Sequence, residues 1–218
     1  RLSTGYSASE ILDRTRAALL RVKNREAAFE RDSVTFPTIE YSFPLLSGLL
    51  RAAVESGGTL SVLDFGGSLG STYFQYRDFL SVVRGLRWSI VEQPAHVACG
   101  QSEFSDDRLH FYGTIEDCLT VERPNVFLLS SVIQYLPEPY AFIQDAIRRR
   151  FEYVLVDRTA FLREGRDRLT LEHVPEWIYP ATYPAWFLAE GRFLECFAPW
   201  YDLVADFPAI DTTQPDGG

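Results

Sequence analysis

The stretch Val62–Gly70 constrains the fold of this chain more than any other part of its sequence. It starts with a short apolar run, passes through the acid Asp64, and then contains three glycines within five residues. The apolar run is typical of a buried strand, and glycine permits the positive φ angles of a tight turn. We predict a helix directly afterwards, near 70–83. Strand, turn and helix in this order form the repeating unit of an α/β sheet.

The same alternation of strand and helix continues beyond this unit. Continuous apolar runs, such as 126–129 and 153–156, are expected for strands that are buried on both faces. We predict strands near 60–65, 87–92, 108–112, 125–131 and 151–157. We predict helices near 70–83, 94–103, 115–119 and 138–149. These elements predict a doubly wound, mostly parallel sheet.

The flanking segments have a different character. Residues 7–30 show helical spacing, and a link rich in Ser, Thr, Phe and Pro leads to a second helix near 45–55. An aromatic stretch at 177–187 precedes a helix near 189–197 and a strand near 201–207. The predicted organisation is one domain, 1–218, in three parts: an N-terminal helical cap at 1–57, the core at 58–160, and an aromatic lid with the C-terminal elements at 161–218.

The glycine turn and a second acid point to a nucleoside-like ligand. The turn lacks the G-x-G-x-x-G pattern and the lysine of a phosphate loop, which excludes a triphosphate site. Glycines still let a ligand approach the backbone and the unpaired N–H groups of the next helix. The next predicted strand ends at Glu92, where α/β folds place a carboxylate for ribose hydroxyls. A ligand-free turn and a solvent-facing acid are the alternatives.

Composition limits the class of partner. A net charge of -9 and a pI near 4.9 argue against nucleic acid, because binding a phosphate backbone needs a basic face. Three separate cysteines and three scattered histidines lack metal-ligand spacing, so we expect no metal and a reducing, cytoplasmic location. No apolar run approaches the roughly 18 residues of a membrane span. A small-molecule substrate or a protein partner fits this composition, while the oligomeric state stays open.

With these segments assigned, the chain resembles a bacterial family of class I S-adenosylmethionine (SAM) dependent methyltransferases, often encoded among polysaccharide and natural-product biosynthesis genes. The resemblance covers most of the chain. It is carried by the segments Glu30–Ser33, Leu63–Phe74, Val91–Pro94, Leu128–Leu136, Val156–Thr159 and Tyr183–Phe187. It implies a Rossmann-like class I SAM-dependent methyltransferase fold. That fold usually ends with an antiparallel hairpin, whereas this sequence offers one last strand, so either the sheet has six strands or the C-terminus is missing.

The resemblance also implies where SAM would bind. The turn from Asp64 to Gly70 would hold the methionine part, Glu92 the ribose, and the segment around Thr114 the adenine. A further expectation is that Arg31 pairs with the SAM carboxylate, the alternative being an ordinary helix-end charge. The predicted cofactor-binding residues are Asp64, Gly66, Gly67, Ser68, Gly70, Tyr73, Glu92, Gln93, Thr114, Ile115, Ser130, Ser131 and Arg31.

Transfer from a sulfonium depends more on alignment than on a strong catalytic group, because the carbon is already activated. Aromatic faces can stabilise the positive charge by about 0.5–2 kcal/mol each. The predicted catalytic residues are Tyr179, Tyr183, Tyr135 and, as a general base, His173. An aromatic core beneath a lid and an ordinary surface histidine are the alternatives.

Three functions remain open from the sequence. The first is methyl transfer from SAM to a small metabolite, sugar or natural-product intermediate. In the second, the SAM amino group attacks the carbon next to sulfur, which forms azetidine-2-carboxylate and releases methylthioadenosine. Azetidine-2-carboxylate synthases, which look similar to this chain, use that route on the same scaffold. The third is a non-catalytic SAM-binding module.

Overall fold

The computed structural model describes residues 9–163, 165–173 and 182–209. The α-helices are α1 (Ser9–Lys23), α2 (Phe43–Glu55), α3 (Ser71–Leu80), α4 (Pro94–Glu103), α5 (Ile115–Val121), α6 (Pro139–Arg148) and α7 (Glu190–Phe197). The strands are β1 (Phe29–Arg31), β2 (Val34–Phe36), β3 (Thr59–Phe65), β4 (Gly85–Val91), β5 (Leu109–Tyr112), β6 (Val126–Ser130), β7 (Tyr153–Asp157), β8 (Phe161–Leu162), β9 (Arg168–His173) and β10 (Thr182–Ala189). A short 3₁₀ helix spans Ile133–Tyr135.

The central sheet contains five parallel strands in the order β5-β4-β3-β6-β7. The predicted parallel sheet and its intervening helices are confirmed. Strand β3 lies in the middle, with Val62 opposite Trp88 of β4 on one side and Val126 of β6 on the other. The order of the strands therefore reverses between β3 and β6. In open α/β sheets, ligands bind beyond the carboxyl ends of the strands at such a switch point.

Apolar layers cover both faces of this sheet, as the continuous strand sequences predict. One layer joins Leu60 and Val62 of β3 to residues of α2 and α3. The other joins Leu63 of the same strand to residues of α6 and α7. Alternate side chains of β3 therefore enter different layers, which is the period-2 geometry of a strand.

The N-terminal segment differs from the predicted helix over 7–30. Helix α1 ends at Lys23, and Arg25 adopts a left-handed φ of 64°. The amide of Glu26 donates to the carbonyl of Arg21 at 2.7 Å, and that of Arg25 to Val22 at 3.1 Å. These two bonds form a Schellman motif, which satisfies the last carbonyls of a helix and turns the chain away from it. The helix prediction is therefore wrong beyond residue 23.

The chain then forms an antiparallel hairpin, the cap hairpin, from β1 and β2 (residues 29–36). Asp32 and Ser33 connect its strands with φ angles of 51° and 69°. Two successive left-handed residues define the tight turn that matches the twist of a hairpin, usually with glycine or asparagine. Here neither residue is glycine, which conceals the turn in the sequence.

The C-terminal region forms a second, three-stranded sheet in the order β8-β10-β9. Strand β10 contains the described part of the aromatic stretch, and pairs antiparallel with β9 and parallel with β8. The strand predicted near 201–207 is wrong, because residues 201–209 have no strand conformation and Leu203, Val204 and Phe207 are exposed. Within the described ranges the central sheet has five strands, so the six-strand alternative is wrong for them. No helix there is long and apolar enough to cross a membrane.

Candidate functional site

A cavity lies at the switch point, beyond the carboxyl ends of β3, β4, β6 and β7. We call it the switch-point cavity. Residues of α1, α2 and the cap hairpin close it from the outside. It is lined by Ile11, Thr15, Phe29, Glu30, Arg31, Asp32, Ser33, Ser42, Leu45, Asp64, Gly66, Gly67, Ser68, Ser71, Thr72, Gln75, Tyr76, Glu92, His96, Ser130, Ser131, Asp157 and Arg158.

The glycine turn after β3 forms one wall of the cavity. Gly66 has a φ of 73°, and Gly70, the residue before α3, has a φ of 104°. A Cβ atom built on Gly67 would lie 2.5 Å from the carboxyl group of Asp64. The backbone of Gly67 therefore lies directly against that carboxyl group, where only glycine fits. This contact keeps the turn close to the end of the strand and leaves its outer side to the cavity.

Asp64 is buried beneath this turn, with 1% of its surface exposed. Its Oδ2 accepts a hydrogen bond of 3.0 Å from the indole Nε1 of Trp88 on β4. Burial raises the pKa of Asp64 to about 7, the indole bond opposes that shift, and the nearby charge of Glu92 adds to it. Asp64 thus joins the two central strands beneath the turn.

Glu92, the predicted ribose ligand, follows β4 and lines the same cavity as the glycine turn. The backbone amide of Gln93 donates to its Oε2 at 2.5 Å, which fixes the carboxylate at the start of α4. One turn along α4, the ring of His96 also lines the cavity. Its Nδ1 atom is buried and lacks a hydrogen-bond partner among the residues that the structure describes.

The third wall comes from the ends of β6 and β7. The hydroxyl of Ser130 donates to Oδ2 of Asp157 at 3.1 Å. The amide of Ser131 donates to the carbonyl of Asp157 at 3.0 Å. These bonds hold the two strand ends together at the cavity, beside Arg158.

Backbone strain is concentrated around this cavity. Seven described non-glycine residues have a positive φ, and five of them line the cavity: Asp32, Ser33, Ser68, Ser131 and Arg158. Such conformations cost about 1–3 kcal/mol each and persist where surrounding contacts impose them, often at binding sites. Two of the five form the turn of the cap hairpin, and the other three, Ser68, Ser131 and Arg158, lie at the carboxyl edge of the sheet, which supports the cavity as the candidate site.

Glu30 is a cavity residue that was absent from the predicted set. It lies on β1 with 2% of its surface exposed. Its Oε1 accepts from the amide of Ser33 at 2.7 Å, and its Oε2 accepts from the hydroxyl of Ser71 at the start of α3. Burial raises the pKa of Glu30 to about 7 against the effect of these two bonds. Glu30 thus connects the cap hairpin to the helix that follows the glycine turn.

The cavity is acidic. Its lining contains five carboxylates, Glu30, Asp32, Asp64, Glu92 and Asp157, and two guanidinium groups, Arg31 and Arg158. Arg31, the predicted carboxylate ligand, also lies 3.4 Å from Glu40. An excess of carboxylates in a partly dehydrated cavity favours a ligand with positive charge.

Some predicted cofactor-binding residues lie outside the cavity lining. Tyr73 is buried in the core against Phe74 and Trp88. Gly70, the residue before α3, packs against side chains of the core. Gln93 and Thr114 are exposed at the starts of α4 and α5, and Ile115 is buried in the second apolar layer. Their roles stay predictions.

Three of the predicted catalytic residues, Tyr135, Tyr183 and His173, lie in the described part of the chain, and none of them is among the residues that line the cavity. The hydroxyl of Tyr135 donates to Glu172 of β9 at 2.9 Å, and its ring contacts Tyr183 edge to face at 5.2 Å. Burial and the charge of Glu172 raise the pKa of Tyr135. His173 is exposed, with its Nδ1 3.0 Å from the hydroxyl of Thr182. Tyr179 lies outside the described residues, so the predicted roles of all four stay untested.

Glu30 and His96 line the cavity but were not among the residues predicted from the sequence, apart from their place in or near the segments that carry the family resemblance. Glu30 lies in a strand too short to show a two-residue period. His96 follows a predicted strand end by a few residues, so its position at the carboxyl edge was the available signal. In the described part of the chain, no group of three or more His, Cys, Asp or Glu side chains is placed to hold a metal ion.

Comparison with solved structures identifies the class of fold. The chain is similar to the glycopeptide N-methyltransferase MtfA complexed with SAM, at 14% identity over 72% of this chain and 85% of that one, with a TM-score of 0.50. It is similar to the N-terminal domain of EvdMO1, in the presence of S-adenosylhomocysteine (SAH) and D-fucose. The identity is 16% over 88% of both chains, with a TM-score of 0.47. It is also similar to CalS10, an amino pentose methyltransferase from Micromonospora echinaspora with SAM bound. The identity is 12% over 73% of this chain and 82% of that one, with a TM-score of 0.45.

No protein-family model and no curated protein sequence matches the chain. The likeness to MtfA, together with the strand order of the central sheet, shows the Rossmann-like class I methyltransferase fold. The predicted fold class is therefore confirmed. Because one fold serves many chemistries, the function has to be argued from the site itself.

Proposed function

We propose that this protein binds SAM in the switch-point cavity and transfers its methyl group to a small metabolite of natural-product or polysaccharide biosynthesis. One observation carries the proposal: the glycine turn after β3 and Glu92 after β4 line a single cavity at the point where the strand order reverses. A nucleoside ligand needs both, a close backbone approach at one end and a carboxylate for ribose hydroxyls at the other.

The residues present fit this ligand. SAM supplies an activated methyl group on a sulfonium when it is bound. The acidic lining suits the two cationic groups of SAM, the sulfonium and the ammonium, while Arg31 and Arg158 provide counter-charges for its carboxylate. Gly66 and Gly67 both line the cavity. Their backbone packs against Val132 and Asp64, where an added Cβ would lie 2.6 Å and 2.5 Å from those side chains, so glycine is required to hold the turn at the edge of the cavity.

The cavity volume also suggests how such a ligand would lie. At about 150 Å³, the cavity is smaller than the pockets of about 300–1,000 Å³ that enclose whole small molecules. It would therefore hold the methionine and ribose part. The adenine would lie beyond Glu92 along the exposed starts of α4 and α5, near Gln93 and Thr114, as the sequence resemblance implies.

In this arrangement the protein acts by binding and orientation. The glycine turn would fix the methionine part and Glu92 the ribose, and the strand-end residues Ser130 and Ser131 would line the approach to the sulfonium. Tyr135 and Tyr183 are in contact with each other. Tyr135 also bonds to Glu172, whose pKa is raised by burial and, to a smaller extent, by the charge of the cavity residue Asp32. Fixed alignment of the reacting groups supplies several kcal/mol of a methyl-transfer barrier without an acid–base pair.

The proposal is tested by incubating the pure protein with SAM, first alone and then with a panel of amino sugars and phenolic, amine and carboxylate metabolites. Products are followed by mass spectrometry. Methyl transfer predicts SAH only when an acceptor is present. Methylthioadenosine from SAM alone would instead support the cyclase alternative. Binding of SAM without either product would support the non-catalytic module.

A further inference from the structure

We propose that Glu30 binds the α-ammonium group of the methionine part of SAM and releases its own proton as it does so. This inference rests on the proposed function, because it assigns one more residue to the same site. It gives the cap hairpin, on which Arg31 also lies, a second contact with the amino-acid part of the ligand.

Glu30 is positioned beside the turn that would contact the methionine part. Glu30 enters the switch-point cavity from the cap hairpin, opposite the end of β3. Its Oε2 is bonded to Ser71, the first residue of α3, and α3 begins directly after the glycine turn. The Glu30 carboxyl group is therefore held beside the turn that would contact the methionine part. Its place is also fixed from the cap side, since Ser33 donates to Oε1 and is itself bonded to Thr15 at 2.7 Å.

The surroundings of Glu30 favour the uncharged form of its carboxyl group. Both hydrogen bonds to Glu30 come from neutral donors, an amide and a hydroxyl. Within the described ranges no cationic side chain bonds to it, although the charge of Arg158 acts on it from the end of β7. The other ionisable groups in the cavity lining are Arg31, Asp32, Asp64, Tyr76, Glu92, His96 and Asp157. A carboxyl group that is dehydrated without a cation favours its neutral form, which is why its pKa lies near 7.

An ammonium is the group of SAM that fits the Glu30 carboxylate. An ammonium has three N–H donors and a full charge, so it can bond to a carboxylate and offset the loss of water around it. A sulfonium has the charge but no N–H or O–H donor. Asp64 has the same high pKa but lies beneath the backbone of Gly67 and is already bonded to Trp88. Glu30 is thus the buried acid better placed for the ammonium.

A second observation marks the cavity as a place for a polar ligand. His96 is 94% buried in its wall and its Nδ1 has no hydrogen-bond partner in the described part of the chain. Buried polar atoms are nearly always satisfied in native proteins, so an orphaned one indicates a missing partner. This evidence is independent of the acids.

The experiment is calorimetry with two ligands that differ in the group concerned. SAH carries the α-ammonium and no sulfonium, whereas 5′-methylthioadenosine lacks the whole amino-acid part. Both are titrated into the wild type and Glu30→Gln at pH 6, 7 and 8. Measurements in two buffers of different ionisation enthalpy count the protons released. Glu152→Gln is the matched control, because Glu152 is exposed at the amino end of β7.

The proposal predicts that wild-type affinity for SAH rises about tenfold between pH 6 and pH 8, as a group with a pKa of about 7 becomes ionised. Binding at pH 6 releases a proton. Glu30→Gln weakens SAH binding at pH 8 at least tenfold and removes much of the pH dependence, while methylthioadenosine affinity changes less than twofold. Glu152→Gln behaves as the wild type.

Equal weakening of both ligands by Glu30→Gln would overturn the proposal, since it would show a role in holding the cap hairpin only. Unchanged SAH binding by the variant would overturn it and leave the proposed function standing. Wild-type protein that binds neither ligand would overturn both. Should Glu30→Gln not fold, Ser71→Ala replaces it: loss of the Ser71 donor raises the pKa of Glu30, so the pH at which SAH affinity rises should move upward. An unmoved profile in Ser71→Ala contradicts the inference.

Discussion

Buried carboxyl groups at the two ends of the central sheet have pKa shifts of opposite direction. At the amino end, Glu122 follows α5 with 6% of its surface exposed. Its carboxylate accepts a hydrogen bond of 2.7 Å from the guanidinium group of Arg87 and one of 3.0 Å from the hydroxyl of Tyr112. Burial pushes its pKa upward, but the bonds from Arg87 and Tyr112 outweigh this and lower the pKa. At the carboxyl end, Glu30 and Asp64 are more deeply buried, with 2% and 1% of their surface exposed, and burial raises their pKa values to about 7.

Burial and the hydrogen-bond partner together therefore decide the charge of an acid in this protein. Glu122 has its counter-charge within the chain, which is the pattern of a structural ion pair. Among the described residues, the hydrogen bonds to Glu30 and Asp64 come from neutral donors, so we infer that the cation at the carboxyl end comes from a ligand. Acids with perturbed pKa values in a cleft are typical of functional sites.

The largest effect is expected from adding one carbon to the glycine turn. In Gly67→Ala the new Cβ would lie 2.5 Å from the carboxyl group of Asp64, which is buried and bonded to Trp88 and so cannot move easily. We expect a loss of about 3 kcal/mol in unfolding free energy and a loss of SAM binding beyond detection by calorimetry. Chemical denaturation and calorimetry measure the two effects.

Gly191→Ala is the matched control for this turn. No atom lies within 4 Å of a Cβ built there, in the first turn of α7. Its stability should stay unchanged or rise by up to about 1 kcal/mol, because alanine favours helix over glycine. Equal behaviour of the two variants would mean that the turn tolerates side chains and does not require glycine.

The next effect concerns Glu30 without any ligand. Because its folded pKa is raised from 4.5 to about 7, stability falls as pH rises through this window, and the ionised form is disfavoured above it. Glu30→Gln removes this penalty, which corresponds to about 3 kcal/mol at most. The Ser71 hydroxyl can turn to accept from the new amide. Denaturation of the ligand-free protein should show Glu30→Gln more stable at pH 8 and close to the wild type at pH 4.

A parallel pH profile for the two proteins would contradict a raised pKa of Glu30. The distinction between the ends of the sheet would then reduce to the ion pair alone. Measuring Glu152→Gln alongside controls for general charge effects, since Glu152 is exposed.

The amino-end pair should respond in the opposite sense. Arg87→Met leaves Glu122 buried with only the Tyr112 hydroxyl, and we expect a loss of about 2 kcal/mol at pH 7. The folded pKa of Glu122 is lowered, so this stabilisation is present above its unfolded pKa and disappears as pH falls through the folded value. Denaturation at pH 7 and pH 3.5 should show the difference shrinking in acid.

Arg51→Met provides the comparison on the surface. Arg51 and Glu55 form an exposed pair one turn apart on α2. Removing it should change stability by less than about 0.5 kcal/mol. A loss as large as that of Arg87→Met would show that the burial of Glu122 has no bearing on the strength of its pair.

The smallest effect concerns the start of α5. The hydroxyl of Thr114 accepts from the amide of Asp117 at 3.0 Å and caps the helix. Thr114→Ala should cost about 1 kcal/mol in stability. Thr120→Ala, in the same helix, should be neutral, since its hydroxyl only bonds back to the carbonyl of Asp117. Calorimetry of both variants with SAM then reports whether Thr114 contributes to ligand affinity beyond the cap.

The sheet could be predicted from the sequence because strands such as β6 and β7 have continuous apolar runs and each helix follows a turn. The glycine turn identified the central strand, and the end of β4 identified Glu92 as a residue of the same edge. These signals are local. The crossover between β3 and β6 then follows from the general rules of α/β topology.

The cap hairpin could not be predicted in this way. Its strands have three residues each, too few for a two-residue period, and Phe29 lies seven residues after Val22, which continues the helical spacing of α1. Its turn uses Asp32 and Ser33 in place of the glycine that usually reveals such a turn. Because the hairpin was missed, Glu30 was missed with it. The segment 201–207 failed for the opposite reason: its composition suits a strand, but it pairs with no strand of the described residues, and Leu203, Val204 and Phe207 are exposed.

The most direct measurement of the central claim is a crystal structure of the protein with SAH. The account predicts SAH in the switch-point cavity, with its methionine part against the glycine turn and its ribose hydroxyls on Glu92. The amino nitrogen should lie within hydrogen-bond distance of Glu30. SAH bound elsewhere, or with the glycine turn and Glu92 contacting separate molecules, would contradict the account.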